Sequence, residues 1–584
     1  MVRIISSFIV VALLITNASA QVFTAERITD WSSAGATVQL VSSSNQVSVL
    51  DFGGDNTGVT NSNDAFELAL ASLNGSGGTI YFPEGEYFFT SPLILEDSVF
   101  LKGASTDTKL RFDLGGNNHL IKITGNILAT EFPLAENSIK GSYSLQLLDA
   151  SEFESGNFVR LYMDDEDLMF STWAYGSLGQ VIEVIEVDGN QLILADQLNH
   201  NYSLGRNSFV NKVNPICGAG VECLTIERED NSDAQNSNIY FNAAKNCVVR
   251  NIESNRCDFS HVEINSSAHI TIEHNYFHHA IGYGEGGRGY GIILQEASSF
   301  CLTQDNVFEH LRHSMLLQSG ANGNVLGYNY SYDPYWDQSS FPTNSAGDAV
   351  LHGNYPYLNL FEGNTVQNIV VDASHGNNGP YNTFFRNRVE LYGFISDNGT
   401  PTDSMNVVGN EITGLAFPFG FFVLNGSGHY SYGNHVGDTA NPSGTTLLEL
   451  NSLYLDENEL PGFLTGNSLP MIGYSLELNE KVLPAQQRFE AGVPVSCSQT
   501  IITAVIDEEE ENQLIQIWND ELQISEELLP ATVNIYMING QLLDSKTTNS
   551  NRVKLDLLSA NGGYLINVIG ANGKMFRTKF LNLK

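Results

Sequence analysis

Residues 302–310 read LTQDNVFEH and residues 326–332 read LGYNYSY, and in both a short β-forming run leads to an asparagine that a second short run follows. This pattern recurs around eight asparagines, at Asn251, Asn275, Asn306, Asn329, Asn364, Asn387, Asn410 and Asn434. Their separations are 24, 31, 23, 35, 23, 23 and 24 residues. A period in the twenties built from short strands indicates a solenoid. The sequence therefore predicts an all-β fold, a right-handed parallel β-helix.

The repeated asparagine has a structural explanation. Asparagine tolerates the left-handed backbone conformation that a corner requires, and stacked side-chain amides can hydrogen-bond from one coil to the next. We therefore expect these residues to hold the coils in register rather than to take part in chemistry.

The two long separations exceed a 23-residue coil by 8 and 12 residues, around 283–289 (YGEGGRG) and 333–343 (DPYWDQSSFPT). Insertions in solenoids form loops on one face, and such loops commonly build the binding site. We expect both insertions to lie in neighbouring coils and to wall one groove.

Ionisable residues are concentrated between and beside these insertions. The predicted acid–base and carboxylate-neutralising residues are His279, His310, Arg312 and His313. The predicted substrate-binding residues are Glu285, Arg288, Tyr335, Trp336, Asp348, His352 and His375. A ladder of hydrogen-bonded histidines and a structural clamp by Arg288 are the alternatives for these positions.

Register arranges some of these residues in columns. His279, His310 and Asp333 each lie four residues after a repeat asparagine, so they are expected to stack at about 4.8 Å. Gln295 and Gln318 are 23 residues apart, as are the two His-Gly-Asn sequences that begin at His352 and His375. These predict a second polar column.

The segment VSVLDFGGDNTGV at 47–59, with the helix-forming Asp64-Ala65-Phe66 and the sequence YFPEGEY at 81–87, resembles the opening of the pectate-lyase/polygalacturonase-like superfamily. The resemblance implies a β-helix whose end is capped by a helix. It does not decide the reaction, because the superfamily includes lyases, hydrolases, epimerases and phage tailspikes. The paired aspartates of the polygalacturonases and the calcium-binding carboxylates of the pectate lyases are not evident, so no residue roles are transferred.

The chain divides into five predicted segments. Residues 1–20 have the charged start, apolar run and Ala-Ser-Ala site of a signal peptide. Residues 21–497 form the β-helix, with a small β-module inserted at 140–215, and 498–512 form an acidic linker. Residues 513–584 form a β-sandwich that closely resembles the C-terminal sorting domain of the Bacteroidetes type IX secretion system. That resemblance implies export through the outer membrane by the secretion machinery.

The composition of the chain argues against some classes of binding partner. The net charge of −39 argues against nucleic acid and anionic membranes. No membrane insertion is expected after the signal peptide, and we expect a monomer.

Six cysteines are too few for a disulfide framework, although Cys217 and Cys223 are close enough in sequence to pair. No cofactor is certain; Ca²⁺ at the acidic run 164–167 is an option, and the spacing of histidines does not favour a zinc site.

These features favour a secreted enzyme that degrades a polysaccharide. A lyase acting on a uronic-acid polymer of the pectin, alginate or ulvan type is preferred, because histidine and arginine supply a base and a carboxylate neutraliser. A glycoside hydrolase with paired carboxylates is the first alternative. A non-catalytic glycan-binding or adhesin solenoid is the second.

Overall fold

A computed structural model describes residues 23–36, 45–232, 234–284, 287–337, 342–397, 399, 402–446, 448, 450–456, 460–464, 472–473, 482–497 and parts of 515–582. The chain separates into two compact units, Val22–Gln499 and a second unit that contains Thr500–Lys584. The predicted signal peptide and most of the predicted linker lie outside the described residues. The proposed domain boundaries stay predictions.

The first unit is a parallel β-helix with three strands in each complete coil. We name its faces sheet 1, sheet 2 and sheet 3, in the order in which the chain crosses them. Strands pair in parallel with their equivalents one coil on, as Thr271–Glu273 does with Leu302–Gln304. Sheet 1 has twelve strands: Gln46–Ser48, Gly78–Phe82, Val99–Gly103, Gly220–Glu222, Val248–Arg250, Thr271–Glu273, Leu302–Gln304, Val325–Gly327, Leu360–Glu362, Thr383–Phe385, Asn406–Val408 and Tyr430–Tyr432.

Sheets 2 and 3 are continuous, because the long strands Thr365–Val371 and Arg388–Ser396 cross both faces. The other strands of sheet 2 are Thr57–Asn61, Gly85–Phe89, Thr108–Phe112, Thr225–Arg228, Glu253–Cys257, Tyr276–Ala280, Val307–Glu309, Tyr330–Tyr332, Glu411–Ile412, Asn434–Val436 and Thr439–Asn441. The other strands of sheet 3 are Leu93–Ile94, Ile121–Thr124, Ile239–Asn242, Ser260–Asn265, Tyr290–Gln295, His313–Leu317, Ala349–Leu351 and Phe421–Val423.

An asparagine ladder joins the coils at the corner between sheets 1 and 2. Asn306 donates from Nδ2 to the Ile272 carbonyl (2.9 Å) and to Oδ1 of Asn329 (3.0 Å). Its own Oδ1 accepts from the backbone N (3.1 Å) and Nδ2 (2.9 Å) of Asn275. The ladder continues through Asn364, Asn387, Asn410 and Asn434. The predicted amide stacking is therefore confirmed for seven of the eight asparagines.

Two details of that prediction are wrong. Asn251 is not a rung: Arg250 pairs with Glu273, so Asn251 aligns with His274 and Ile252 occupies the ladder position. The left-handed conformation belongs to the residue before each rung, as at Asp305 (φ 52°) and Tyr328 (φ 55°). The ladder asparagines are selected for their amides and not for a left-handed backbone.

The interior is a continuous apolar core of inward-facing side chains such as Ile272, Phe308, Leu326 and Phe361. The helix Asn63–Ser72, predicted as an end cap, adds Phe66 and Leu70 to this core. The remaining helices are Pro484–Glu490 and the short 3₁₀ turns Ala25–Arg27, Trp31–Ser33, Val49–Phe52, Thr172–Ala174, Leu204–Arg206 and Thr343–Ser345.

An antiparallel module interrupts the coils after the sheet 3 strand Ile121–Thr124. Its six strands are Asn126–Pro133, Ser144–Gln146, Phe158–Tyr162, Gly179–Asp188, Gln191–Leu194 and Phe209–Asn214. The sheet begins upstream of the predicted 140–215 segment. Tyr357 and Leu358 of the β-helix belong to the module's apolar core, so the module is packed against the corner that follows sheet 3.

Two of the three outer faces are covered by other parts of the chain. Phe23, Trp31 and Tyr454 pack on the outer side of sheet 1, against Val325 and Leu360. The helix Pro484–Glu490 places Ala485 and Phe489 against Val307 and Tyr330 of sheet 2. The outer face of sheet 3 is the one bordered by the module and by the inserted loops.

The cysteines are free thiols. Cys223 aligns with Asn251 and forms a hydrogen bond with Cys497, so the Cys217–Cys223 pair is not present. Cys247 and Cys301 lie in the core.

The second unit contains two antiparallel sheets. One has the strands Ile515–Trp518, Glu521–Ile524 and Arg552–Lys554, and the other has Leu542–Thr548, Ala531–Met537, Gly562–Ile569 and Met575–Asn582. This all-β unit agrees with the predicted C-terminal β-sandwich.

Asn306→Ala is expected to lower the free energy of unfolding by about 3 kcal/mol, because it leaves the buried Asn275 and Asn329 amides without their partner. Asn117→Ala, at an exposed asparagine, is the control and is expected to change stability by less than about 0.5 kcal/mol. Urea unfolding followed by circular dichroism measures both. Equal, small effects would contradict a stabilising ladder.

Candidate active site

The outer face of sheet 3 carries a polar column along the helix axis. Asn265 pairs with Gln295, and Gln318 donates from Nε2 to Oε1 of Gln295 (2.6 Å). Gln295 in turn donates to Oε1 of Glu263 (3.1 Å). The neighbouring position one coil beyond Gln318 is His352, since Leu317 pairs with Leu351. The expected second polar column is present from Gln295 to His352, but the residue that follows His352 in register is Asp372 rather than His375, because Leu351 pairs with Val371.

Aromatic and imidazole rings continue from this column across the face. The ring centroids of His352 and His375 are 4.9 Å apart, those of His313 and His352 are 5.8 Å apart, and those of Tyr290 and His313 are 5.2 Å apart. Trp173 of the module contacts His375 edge-on at 5.7 Å. We name these five residues the groove cluster.

His313 is held as a neutral imidazole with a defined tautomer. Its Nδ1 lies 2.8 Å from the Gly347 carbonyl, which can only accept, so Nδ1 carries the proton and Nε2 keeps a lone pair. Burial, together with the charges of Arg312 and His352, lowers the pKa of His313 well below its ordinary value. His313 is therefore uncharged at neutral pH, with a lone pair on Nε2.

His352 has a carboxylate partner. Its Nδ1 lies 2.6 Å from Oδ2 of Asp372. Burial by itself would raise the pKa of the Asp372 carboxyl, but the charge and hydrogen bond of His352 outweigh it and lower the pKa. An ionised Asp372 orients the ring through Nδ1 and leaves Nε2 as the atom that can act on a substrate.

Arg288, in the first insertion, and Arg312, at the neighbouring corner, differ in whether a carboxylate lies beside them. Arg288 pairs with the buried Asp258 at 3.1 Å. Arg312 donates to the Gly284 carbonyl (2.7 Å), and its guanidinium lies over the rings of Trp336 (5.1 Å) and Tyr290 (5.7 Å). Among the described residues Arg312 pairs with no carboxylate, and its Nε donates no hydrogen bond. Within the described ranges, no ion pair neutralises its positive charge.

Arg312 lies between the two insertions. The loops join sheet 2 to sheet 3 at 281–289 and 333–348, and the coil between them turns with 310–312 alone. The insertions thus lie in alternate coils, not in adjacent ones as expected, and the short turn between them carries Arg312.

The repeated His-Gly-Asn sequence has a steric origin. A Cβ on Gly353 (φ 79°) would lie 2.5 Å from the carbonyl of His375, and one on Gly376 (φ 75°) would lie 2.5 Å from Cβ of Phe170. Each glycine therefore lets the next segment of chain pack closely against it. His375 packs against Gly353, and Phe170 of the module packs against Gly376.

The predicted site residues separate into two groups. His279, His310 and Asp333 stack as predicted, with His279 and His310 rings 5.1 Å apart and His310 Nδ1 2.7 Å from Asp333 Oδ2. They occupy left-handed positions at the corner after sheet 2, and Tyr335 stacks on His310 at 4.6 Å. We name these four residues the corner cluster. The charges that act on His279 come from His278, His310, Glu309 and Asp333, not from the groove cluster.

Asp348 is held inside the fold. It is 1 % exposed, and it accepts hydrogen bonds from Ser331 and from the backbone of Gln367 and Asn368. These contacts are structural, and the predicted substrate-binding role stays a prediction with no contact to support it. Glu285 lies outside the described residues.

Several residues of the face were not predicted as site residues. Asp372 was one of many nearby carboxylates, and only contact with His352 distinguishes it. Tyr290 follows the glycine-rich loop and is joined to the site by register with His313. Trp173 is distant in sequence, and no motif connects the module to His375. Burial raises the pKa of Glu263, at the far end of the polar column, to about 7.

Three residues of the acidic run 164–167 have partners within the module, and calcium binding there stays a prediction. Asp164 contacts Asn207, Asp165 accepts from the backbone of Gly176 and Leu178, and Asp167 pairs with Arg206. In the described part of the chain, no three histidine, cysteine or carboxylate side chains are grouped to hold a metal ion. No helix among these residues is long and apolar enough to cross a membrane.

Comparison with known proteins gives a family match for part of the chain. Residues 46–139 match the family model described as "Rhamnogalacturonase A/epimerase, pectate lyase-like". This agrees with the resemblance of the N-terminal motif to the pectate-lyase-like superfamily. No curated protein matches the chain.

Solved structures resemble the chain at low identity. The tailspike gp61 of Pseudomonas phage phi297 is 14% identical, with 66% of this chain and 81% of that chain covered and a TM-score of 0.42. The tailspike gp49 of Pseudomonas phage LKA1 is 12% identical, with the same coverage and a TM-score of 0.44. The catalytic unit of a GH87 alpha-1,3-glucanase from Streptomyces thermodiastaticus is 13% identical, covering 68% and 70%, with a TM-score of 0.29.

Asp372→Asn tests the ion pair. The lowered pKa of Asp372 means that its contribution to stability is fully present above the ordinary aspartate pKa of about 4 and is lost as pH falls through the folded-state value. The variant is therefore expected to be less stable than the wild type at pH 7, by on the order of 1–2 kcal/mol, with the difference shrinking as pH falls below about 4. Thermal unfolding across pH measures it. A pH-independent difference would contradict an ionised Asp372.

Proposed function

We propose that the protein is a polysaccharide-degrading enzyme that cleaves a uronic-acid polymer by β-elimination in the groove on sheet 3. The observation that carries the proposal is the juxtaposition of Arg312, which pairs with no carboxylate among the described residues, with the neutral His313 and the His352–Asp372 pair. The partial match to a pectate lyase-like family model supports a carbohydrate substrate.

The residues account for each step of the elimination. Arg312 binds the uronate carboxylate and stabilises the negative charge that develops when the C5 proton leaves. His313 accepts that proton at Nε2. The electron pair of the C5–H bond forms the C4=C5 double bond, and the C4–O bond to the leaving sugar breaks. His352, oriented by Asp372 through Nδ1, gives a proton to the leaving oxygen.

The polar column would align the chain of sugars. Gln295 and Gln318 lie along the helix axis, at about 4.8 Å per coil; each is 7% exposed, and the small exposed part of its amide would meet sugar hydroxyls. The protein has a net charge of −39, so attraction of a polyanion depends on local cations such as Arg312. Pectin, alginate and ulvan all present the required carboxylate.

Glycoside hydrolysis is the alternative, and one observation favours it. Burial raises the pKa values of Glu263 and Glu296, two carboxyls at the same end of the polar column. A carboxylic acid with a raised pKa suits a general acid. Against this, Glu263 already accepts hydrogen bonds from Ser237, Asn265 and Gln295, which leaves it little freedom to act on a substrate.

We also propose that the C-terminal unit directs export through a type IX secretion system, after cleavage of the signal peptide. Its support is the resemblance of 513–584 to the sorting domains of that system and the antiparallel architecture of the unit. The enzyme would then act at the cell surface or in the medium.

The purified chain is expected to release products with the ultraviolet absorbance of unsaturated uronates from polygalacturonate, alginate or ulvan. New reducing ends without that absorbance would indicate a hydrolase instead. Binding without either product would contradict an enzymatic function for these polymers and favour the non-catalytic solenoid.

Substitutions distinguish the two clusters. Arg312→Gln and His313→Gln are each expected to lower kcat/KM by a hundredfold or more, roughly the contribution of one charge stabiliser or one base. His310→Gln, in the corner cluster, is expected to have a much smaller effect. The reverse order would move the chemistry to the corner cluster. Unfolding midpoints measured in parallel separate catalytic loss from misfolding.

Export is tested with a fusion. Residues 498–584 joined to a fluorescent protein with a signal peptide are expected to carry it to the surface or medium of a bacterium that has the type IX system. The matched fusion that lacks 513–584 is expected to remain in the periplasm. Retention of both in the periplasm would contradict the assignment.

A further inference from the structure

The module carries a cluster of exposed aromatic side chains next to the groove. Phe170, Trp173 and Tyr175 are 68%, 50% and 45% exposed. They lie within six residues, in a turn that contains the short helix Thr172–Ala174. Exposed large aromatics grouped in this way are costly in water and commonly mark a binding surface.

This turn is held rigidly, although its aromatic side chains are exposed. Met169 and Ala174 anchor it in the apolar core of the module. Both oxygens of the buried Asp165 accept from the backbone, from Gly176 at 2.8 Å and from Leu178 at 2.9 Å. Arg160 donates to the carbonyl of Gly176 at 2.9 Å. The aromatic side chains therefore project from a backbone that is ordered before any ligand binds, which lowers the entropic cost of binding.

The turn is also joined directly to the candidate active site. Asn354 Oδ1 accepts from the backbone N of Phe170 and of Ser171, both at 2.9 Å. Ser171 Oγ lies 3.3 Å from Nδ1 of His375, and the ring of Trp173 is 5.7 Å from that of His375. Trp173 thus lies at one end of the groove cluster, and Arg312 and Trp336 lie at the other end.

The surroundings of Trp173 match the two-sided chemistry of a sugar ring. A pyranose has an apolar face of C–H groups and an edge of hydroxyls. Trp173 offers an apolar ring face, while Ser171 and His375 offer hydrogen-bonding groups beside it. A protein partner would need a larger continuous apolar surface than this one. Here the polar residues Ser171 and Thr172 separate Phe170 from Trp173.

We propose that Trp173, supported by Phe170 and Tyr175, forms a sugar-stacking subsite that the inserted module contributes to the groove. The subsite holds a ring of the polymer one or more units away from the bond that is cleaved, and so sets affinity and the preferred length of the substrate. The inference rests on the proposed function for the identity of the polymer, but binding tests it separately from catalysis.

The test compares Trp173→Ala and Trp173→Phe with Tyr143→Ala. Tyr143 is a matched control, because it is an aromatic residue of the same module with 46% exposure, and its electrostatic neighbours are Asp30 and Asp196 rather than groove residues. Binding of polygalacturonate, alginate and ulvan is measured by affinity electrophoresis of the full chain. KM and kcat are measured on whichever polymer is cleaved.

Trp173→Ala is expected to weaken binding and raise KM about tenfold, the size of one stacking contact, with kcat changed less than about twofold. Trp173→Phe should restore most of the affinity, and Tyr143→Ala should behave as the wild type. A KM equal to that of the wild type, or equal binding by wild type and Trp173→Ala, would overturn the subsite.

The same experiment separates this inference from the proposed function. A wild type that binds a polymer through Trp173 but cleaves none would refute the enzymatic proposal and leave the subsite supported. A wild type that cleaves a polymer with no dependence on Trp173 would do the opposite. Absence of both binding and cleavage for all three polymers would overturn both.

Discussion

Hydrogen bonds between stacked asparagine amides are the interaction on which the rest of the structure depends. Each rung, such as Asn306, binds the backbone of the coil before it and the side chain of the coil after it. Because an amide can serve both neighbours only in one register, the ladder fixes which residues of successive coils lie side by side. The columns of the groove follow from that register: Gln295 lies beside Gln318, and His352 beside Asp372.

Fixed register also allows charges to be arranged at close spacing without flexible loops. His313 is neutral because it is buried beside a cation, while His352 is paired with an ionised Asp372. Two imidazoles a few ångströms apart thereby have different partners at Nδ1, a backbone carbonyl for His313 and a carboxylate for His352. The coil that carries Arg312 has the short corner, and in the described part of the chain its guanidinium lies over Trp336 and Tyr290 and pairs with no carboxylate.

Periodicity predicted the fold well, because a solenoid repeats a local pattern that single residues reveal. It predicted the stack of His279 on His310 for the same reason. It failed at Asn251, because the coil that runs from Val248 to its partner Thr271 has 23 residues whereas Asn251 and Asn275 are 24 apart, so Asn251 lies one position before the ladder. It could not separate the corner cluster from the groove cluster, because spacing gives the column of a residue but not the side of the corner on which its side chain lies. Trp173 could not be found at all, since its contact with His375 joins parts of the chain 202 residues apart.

The central claim is that a uronate binds on sheet 3 between Arg312 and the module, with His313 positioned to remove its C5 proton. The most direct measurement is a crystal structure of the His313→Gln variant with a bound oligouronate. The account predicts a carboxylate within about 3 Å of the Arg312 guanidinium, C5 facing residue 313, and a neighbouring sugar ring over Trp173. An oligosaccharide bound at the corner cluster around His310, or bound with no contact to Arg312, would contradict it.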